Sequence, residues 1–159
     1  MIEVTECANE TEKQLSLGVY NAVWPHDAVT MDEVSVYEAG ALGYADLIAR
    51  VDGRVAGSAH GALTPQRPDE VRVLLTVLDD ARGRGVGSAL YERISDWARE
   101  RGIESLEATV ADDDPESLTF AQRRGFVEHK REGGLVLDLT RTEPPAKYTS
   151  YQGTHLCVP

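Results

Sequence analysis

An apolar run, Val71 to Leu78, leads into Arg82-Gly83-Arg84-Gly85-Val86-Gly87-Ser88, and an amphipathic stretch starts directly after it. This junction constrains the fold more than any other part of the chain. Beyond it, Val86, Ala89, Leu90, Ile94, Trp97 and Ala98 recur at i, i+3/i+4 spacing, the mark of one buried helix face ending near Gly102. Ile103 to Ala111 then alternates, with Leu106, Ala108 and Val110 on one side. A strand, glycine turn, helix and strand of this length predict a right-handed parallel crossover. Three glycines let the backbone bend sharply and approach a ligand. The helix start points amide donors and the positive dipole end into the bend, so a phosphate or pyrophosphate is its natural occupant. Arg82 and Arg84 add charged donors.

The spacing decides which phosphate loop this is. The dinucleotide pattern G-x-G-x-x-G needs glycine at 88 or 90, where Ser88 and Leu90 stand, and the P-loop needs a lysine, absent between Lys13 and Lys130. What fits is Arg82-x-x-Gly85-x-Gly87, which resembles the acyl-CoA loop of the GNAT family of N-acetyltransferases. A second stretch, Asp114-Pro115-Glu116-Ser117-Leu118-Thr119-Phe120-Ala121-Gln122-Arg123-Arg124-Gly125-Phe126, resembles that family's later signature through Ser117, Phe120, Gly125 and Phe126. Three positions depart from the family pattern. Asp79 stands where proline is usual, Asp114 replaces an asparagine that touches the cofactor, and Ala121 replaces a tyrosine that protonates the departing CoA thiolate.

The resemblance, over residues 2 to 140, implies an α+β fold: a single mixed, mostly antiparallel sheet of six to seven strands flanked by about four helices. It implies acetyl-CoA as cosubstrate, with Leu75, Thr76 and Val77 pairing with the pantetheine arm at a split in the sheet. Arg82, Gly83, Arg84, Gly85, Val86, Gly87 and Ser88 would hold the pyrophosphate, and Asp114, Ser117 and Phe120 would complete the cofactor site. Residues 1–140 would form the acetyltransferase domain. Residues 141–159, with Pro144-Pro145 and no periodicity, read as a loose or packed-on tail without a domain of its own.

The totals agree with a single domain of 159 residues. A net charge of −11 speaks against nucleic acid and against an anionic membrane surface. Cys7 and Cys157 form neither metal-ligand spacing nor a disulfide framework, so a cytoplasmic setting and no metal are expected. Ile2–Cys7 alternates as a first strand. A helix capped by Asn9 or Thr11 follows to Val23, ended by Trp24-Pro25. Thr30-x-x-Glu33 is a capping box for a helix over 31–39. In the resembled family this region borders the acceptor, which brings in Trp24, His26, Asp27 and Tyr37 as pocket residues or as mere packing. Asp52-Gly53 predicts a hairpin between strands 44–51 and 54–63. Gly57, Ser58, Ala59 and Gly61 would let a chain segment or a ligand lie close to the second strand. Thr64 to Asp69 reads as a connection. A closing hairpin is expected from 126–130 and 135–139, turned at Glu132-Gly133-Gly134.

The implied reaction is direct acetyl transfer to an amine of a small molecule or peptide. The acceptor must lose protons, and His60 and Glu70 compete as base. Tyr91, Tyr37 or a water would protonate the thiolate in place of a tyrosine at 121. The alternative is a CoA-binding module with weakened catalysis, serving regulation or assembly. A free sheet edge would suit a homodimer.

Overall fold

The computed structural model describes residues 1–135, 140 and 150–158. Its contacts divide the chain into two compact units, Met1–Leu106 and Glu107–Pro159. The described residues contain seven strands and four α-helices, and the strand pairs within each unit are antiparallel. That matches the expected α+β class.

The first unit is built on an antiparallel meander of β1 (Ile2–Glu6), β2 (Gly43–Val51), β3 (Arg54–Thr64) and β4 (Arg67–Val77). The β2–β3 turn forms because Asp52 and Gly53 both adopt positive φ, 50° and 81°. Asp52 tolerates this backbone and glycine favours it, so the strands close with a type I′ twist. Thr64 pairs with Arg67, so the expected connection 64–69 is mostly strand. Only Pro65 and Gln66 make the turn, and Pro68 sits near the start of β4, where its missing donor is tolerated.

Helices cover the two faces. The helix α1 (Glu10–Val23) is capped by Asn9, whose side chain accepts from the Glu12 amide. Next comes α2 (Met31–Gly40), opened by the full Thr30–Glu33 capping box. Asn21 bonds both backbone groups of Val29, and the Tyr20 hydroxyl donates to Asp27, which together fix the connection between α1 and α2. The opposite face receives α3 (Val86–Arg99). Alternate residues of a strand share a face, so Gly57, Ala59 and Gly61 line up toward α3. A Cβ on Gly57 would come within 3.0 Å of Val86 and Leu90, and one on Gly61 within 2.7 Å of Ile94. The close-lying partner expected along these small residues is therefore α3. Leu47, Val71, Val86, Leu90 and Ile94 are among the least exposed side chains on the α3 side, and Ile48 is equally buried on the α1 side.

The strand β5 (Ser105–Ala111) runs from the first unit into the second. The second unit continues with α4 (Pro115–Gln122), β6 (Val127–Leu135) and β7 (Ser150–Val158). Gly125, at φ 85°, ends α4 and lets the Phe126 amide return to the Ala121 carbonyl. One expectation is corrected here. There is no turn at Glu132-Gly133-Gly134, because β6 runs straight through these residues and pairs them with Gly153, Gln152 and Tyr151. Ser150–Val158, within the expected loose or packed-on tail, is a strand paired with β6. A distant segment supplies the ladder bonds that a local hairpin would have made. The expected second arm lies, beyond Leu135, outside the described residues. Among the described residues, no helix is long and apolar enough to cross a membrane.

Candidate active site

The bend after β4 is open. Gly83 and Gly85 hold φ of 70° and 89°, values an L side chain resists. A Cβ at Gly83 would meet nothing within 4 Å, and one at Gly85 would meet only a methyl of Ile2 at 3.4 Å. Gly85 is the N-cap of α3 and brings no capping side chain. Among the described residues, no protein acceptor takes the amides of Val86 or Gly87. The bend therefore presents free donors at the positive end of a fourteen-residue helix. Arg84 is exposed, and Arg82 lies 3.2 Å from the carboxylate of the exposed Asp79. With Asp79 almost fully in solvent, this pair is weakly held.

Upstream, Thr76 is buried and its hydroxyl bonds that of Ser58 at 2.8 Å, while Leu75 and Val77 are half-buried. In the second unit, Asp114 caps α4, accepting from the Ser117 amide at 3.0 Å and the Ser117 hydroxyl at 2.7 Å. The Arg124 guanidinium stacks 3.4 Å from the Phe120 ring centre. The two signature stretches thus fall in different units. Ala121, in the last turn of α4, is buried.

The three expected acid–base residues are not gathered at one place. His60 has Asp46 and Leu74 as its register partners, so the three side chains form a row across β2, β3 and β4. This row faces α1, because Asp46 accepts from the Ser16 hydroxyl at 2.7 Å. Tyr91 belongs to α3, which packs on the opposite face. Glu70 pairs with Arg67 at 2.6 Å and receives the Ser105 hydroxyl at 3.4 Å. It lies four residues before Leu74, about 13 Å along an extended strand. Tyr37 is 71% exposed on α2, while Asp27 is committed to Tyr20.

The structure adds residues that sequence reasoning missed. Asp46 Oδ1 sits 3.1 Å from His60 Nδ1, and the Tyr44 hydroxyl is 3.2 Å from the same nitrogen. Burial, then the Asp46 charge, pushes the Tyr44 phenol well above its ordinary range, so it stays protonated. The Cys7 thiol, next to Asp46 and Ser16, is pushed up to about 12, first by burial and then by the Asp46 carboxylate. One signal pointed to this cluster: Asp46 is the lone acid in the otherwise apolar 44–49 segment, and a buried acid requires partners.

With this geometry in view, comparison with known proteins is decisive. The profile of the Acetyltransferase (GNAT) family matches residues 10–126. The chain belongs to that family. Two curated relatives of this GNAT protein are L-2,4-diaminobutyric acid acetyltransferases. That of Nocardia farcinica is 39% identical over 84 residues, covering 50% of this chain and 44% of the relative. That of Streptomyces coelicolor is 38% identical over 79 residues, covering 46% of each. The GNAT chain thus matches less than half the length of these relatives. Its fold is shared with a Salmonella typhimurium protein solved with its cofactor acetyl-CoA, at TM-score 0.74 and 20% identity, covering 99% of this chain and 92% of that one. An N-acetyltransferase of Staphylococcus aureus Mu50 gives TM-score 0.74 at 19% identity, covering 99% and 98%. Among the described residues, no group of three or more His, Cys, Asp or Glu could hold a metal ion.

Proposed function

We propose that this GNAT protein transfers the acetyl group of acetyl-CoA to a primary amine by direct attack within a ternary complex. The observation that carries the reading is the open bend at 82–88, whose unclaimed Val86 and Gly87 amides suit a pyrophosphate. A pyrophosphate held there would let the pantetheine arm run back along Leu75–Val77, where peptide-like pairing with strand backbone is favourable. Asp114, Ser117 and Phe120 enter the reading only through the family signature they carry. The acceptor class we favour is a small amine, and the curated relatives recommend L-2,4-diaminobutyric acid as the first to try.

The test is incubation with acetyl-CoA and an amine panel, following free thiol and acetylated product by mass spectrometry. Acetyl-CoA should raise the melting temperature, and product should appear on an amine and not on an alcohol. Stabilisation by CoA without turnover on any amine would favour the second reading, a CoA-binding module. The burial of Ala121, where a thiolate-protonating tyrosine is usual, is the observation behind it. The absence of any response to CoA would overturn both.

A further inference from the structure

Within the function proposed above, we infer that His60 is the base that deprotonates the acceptor amine, and that Asp46, held by Ser16, is the positioning residue that prepares it. Asp46 Oδ1 lies 3.1 Å from His60 Nδ1. An ionised carboxylate only accepts, so its approach to Nδ1 favours the neutral tautomer that carries the proton there. The Tyr44 hydroxyl, 3.2 Å from the same nitrogen, can accept from it or donate to it, so the choice of tautomer falls to Asp46, which favours the proton on Nδ1. The lone pair is then on Nε2, the nitrogen a general base needs. Asp46 is itself fixed, because the Ser16 hydroxyl donates to that same Oδ1 at 2.7 Å, and its side chain is 5% exposed. This is the arrangement in which a carboxylate sets a histidine's tautomer and steadies the cation that forms.

Position favours His60 over Glu70. His60 is level with Leu74, one residue before the Leu75–Val77 segment assigned to the pantetheine arm. Leu74 shares its face and is 38% exposed, so that part of the sheet is open to an acceptor. The His60 side chain is 11% exposed beside it. Glu70, already engaged by Arg67 and Ser105, is about 13 Å further along the strand.

The acceptor ammonium loses two protons in the step. His60 Nε2 takes the first and passes it to water. The amine nitrogen bonds the thioester carbon, the carbon–sulfur bond breaks with its electron pair going to sulfur, and the second proton ends on the CoA thiol. The charged and titratable groups around His60 are Cys7 after β1, Tyr44 and Asp46 on β2, Glu12 and Lys13 on α1, Glu38 on α2 and Arg72 on β4.

Two measurements test the inference. The first needs no turnover: the ¹⁵N shifts of the His60 ring in the labelled protein. A protonated Nδ1 with a bare Nε2 is expected in the wild type, with that preference lost in Asp46→Asn. A wild-type ring protonated on Nε2 overturns the inference, even in a protein that acetylates nothing. The second is the pH dependence of kcat/KM. His60→Ala should lose about 10²–10⁴-fold and its acid limb, while binding acetyl-CoA as the wild type does. Asp46→Asn should lower kcat with little change in the KM for acetyl-CoA. Ser16→Ala, which leaves the charge in place, should do the same more mildly should the asparagine variant not fold. An acid limb that survives His60→Ala and vanishes in Glu70→Gln overturns the inference while leaving the acetyl-transfer reading intact.

Discussion

Replacing Gly57 by alanine tests how the sheet positions α3. Gly57 lies opposite Val77, and an added Cβ would stand 2.9 Å from the Thr76 carbonyl oxygen and 3.0 Å from both Leu90 Cδ1 and Val86 Cγ1. The oxygen belongs to a paired strand and cannot rotate away. The two methyl groups belong to the first turns of α3, on residues with at most 1% of their surface exposed. Relief therefore requires β4 or the start of α3 to move. Overpacking of this kind costs about 1–3 kcal/mol, offset by about 0.4–1 kcal/mol from restricting the unfolded chain. The net expectation is a loss of about 0–2.6 kcal/mol, centred on about 1.3 kcal/mol, which is roughly 3–5 °C in melting temperature for a chain of this length. Because the displaced turn carries the Val86 and Gly87 amides, CoA affinity measured by calorimetry should fall as well. A Gly57→Ala protein as stable as the wild type, with unchanged CoA affinity, would refute the close packing of α3 on β3.

Three other outcomes follow from the same structure. Gly18 sits exposed in the middle of α1, and a Cβ added there would meet nothing within 4 Å, so Gly18→Ala should stabilise the protein by about 0.8–1 kcal/mol in urea denaturation, and a loss would contradict the open helical site. Gly85→Asp should weaken CoA binding at least tenfold, because a carboxylate would face the phosphates, whereas Gly85→Asn, neutral and tolerant of positive φ, should weaken it less; equal losses would deny the charge argument. Cys7 should resist iodoacetamide at pH 8 in a Cys157→Ser background, since its thiol is pushed up to about 12. A folded value above the unfolded 9.0 means its stabilising contribution is full below about pH 9 and lost as pH rises toward 12, so Cys7→Ala should flatten that part of the melting-temperature profile.

The features legible from the amino-acid order are those whose cause lies within a few residues. Asp52-Gly53 makes its turn, Thr30 and Glu33 cap each other, Asp114 caps α4, and the glycines at 83 and 85 take positive φ. In each, the bond or the backbone preference is local, so no other part of the chain can overrule it. Sequence misleads where the partner is remote. Gly133-Gly134 resembles a turn until Ser150–Val158 offers a ladder to it, because glycine permits a bend without requiring one.

The site divides along the same line. Sequence alone determined the family, the open glycine bend at 82–88 and His60 as a titratable group among small residues, since motif spacing and residue type carry those. Only the folded chain decided that Tyr91 lies across the sheet from His60, that Glu70 is engaged elsewhere, and that Ser16 and Asp46, thirty positions apart, meet at 2.7 Å. Which face a strand residue occupies, and what a helix brings to that face, is set by register and packing, and these sum contacts from every part of the unit at once.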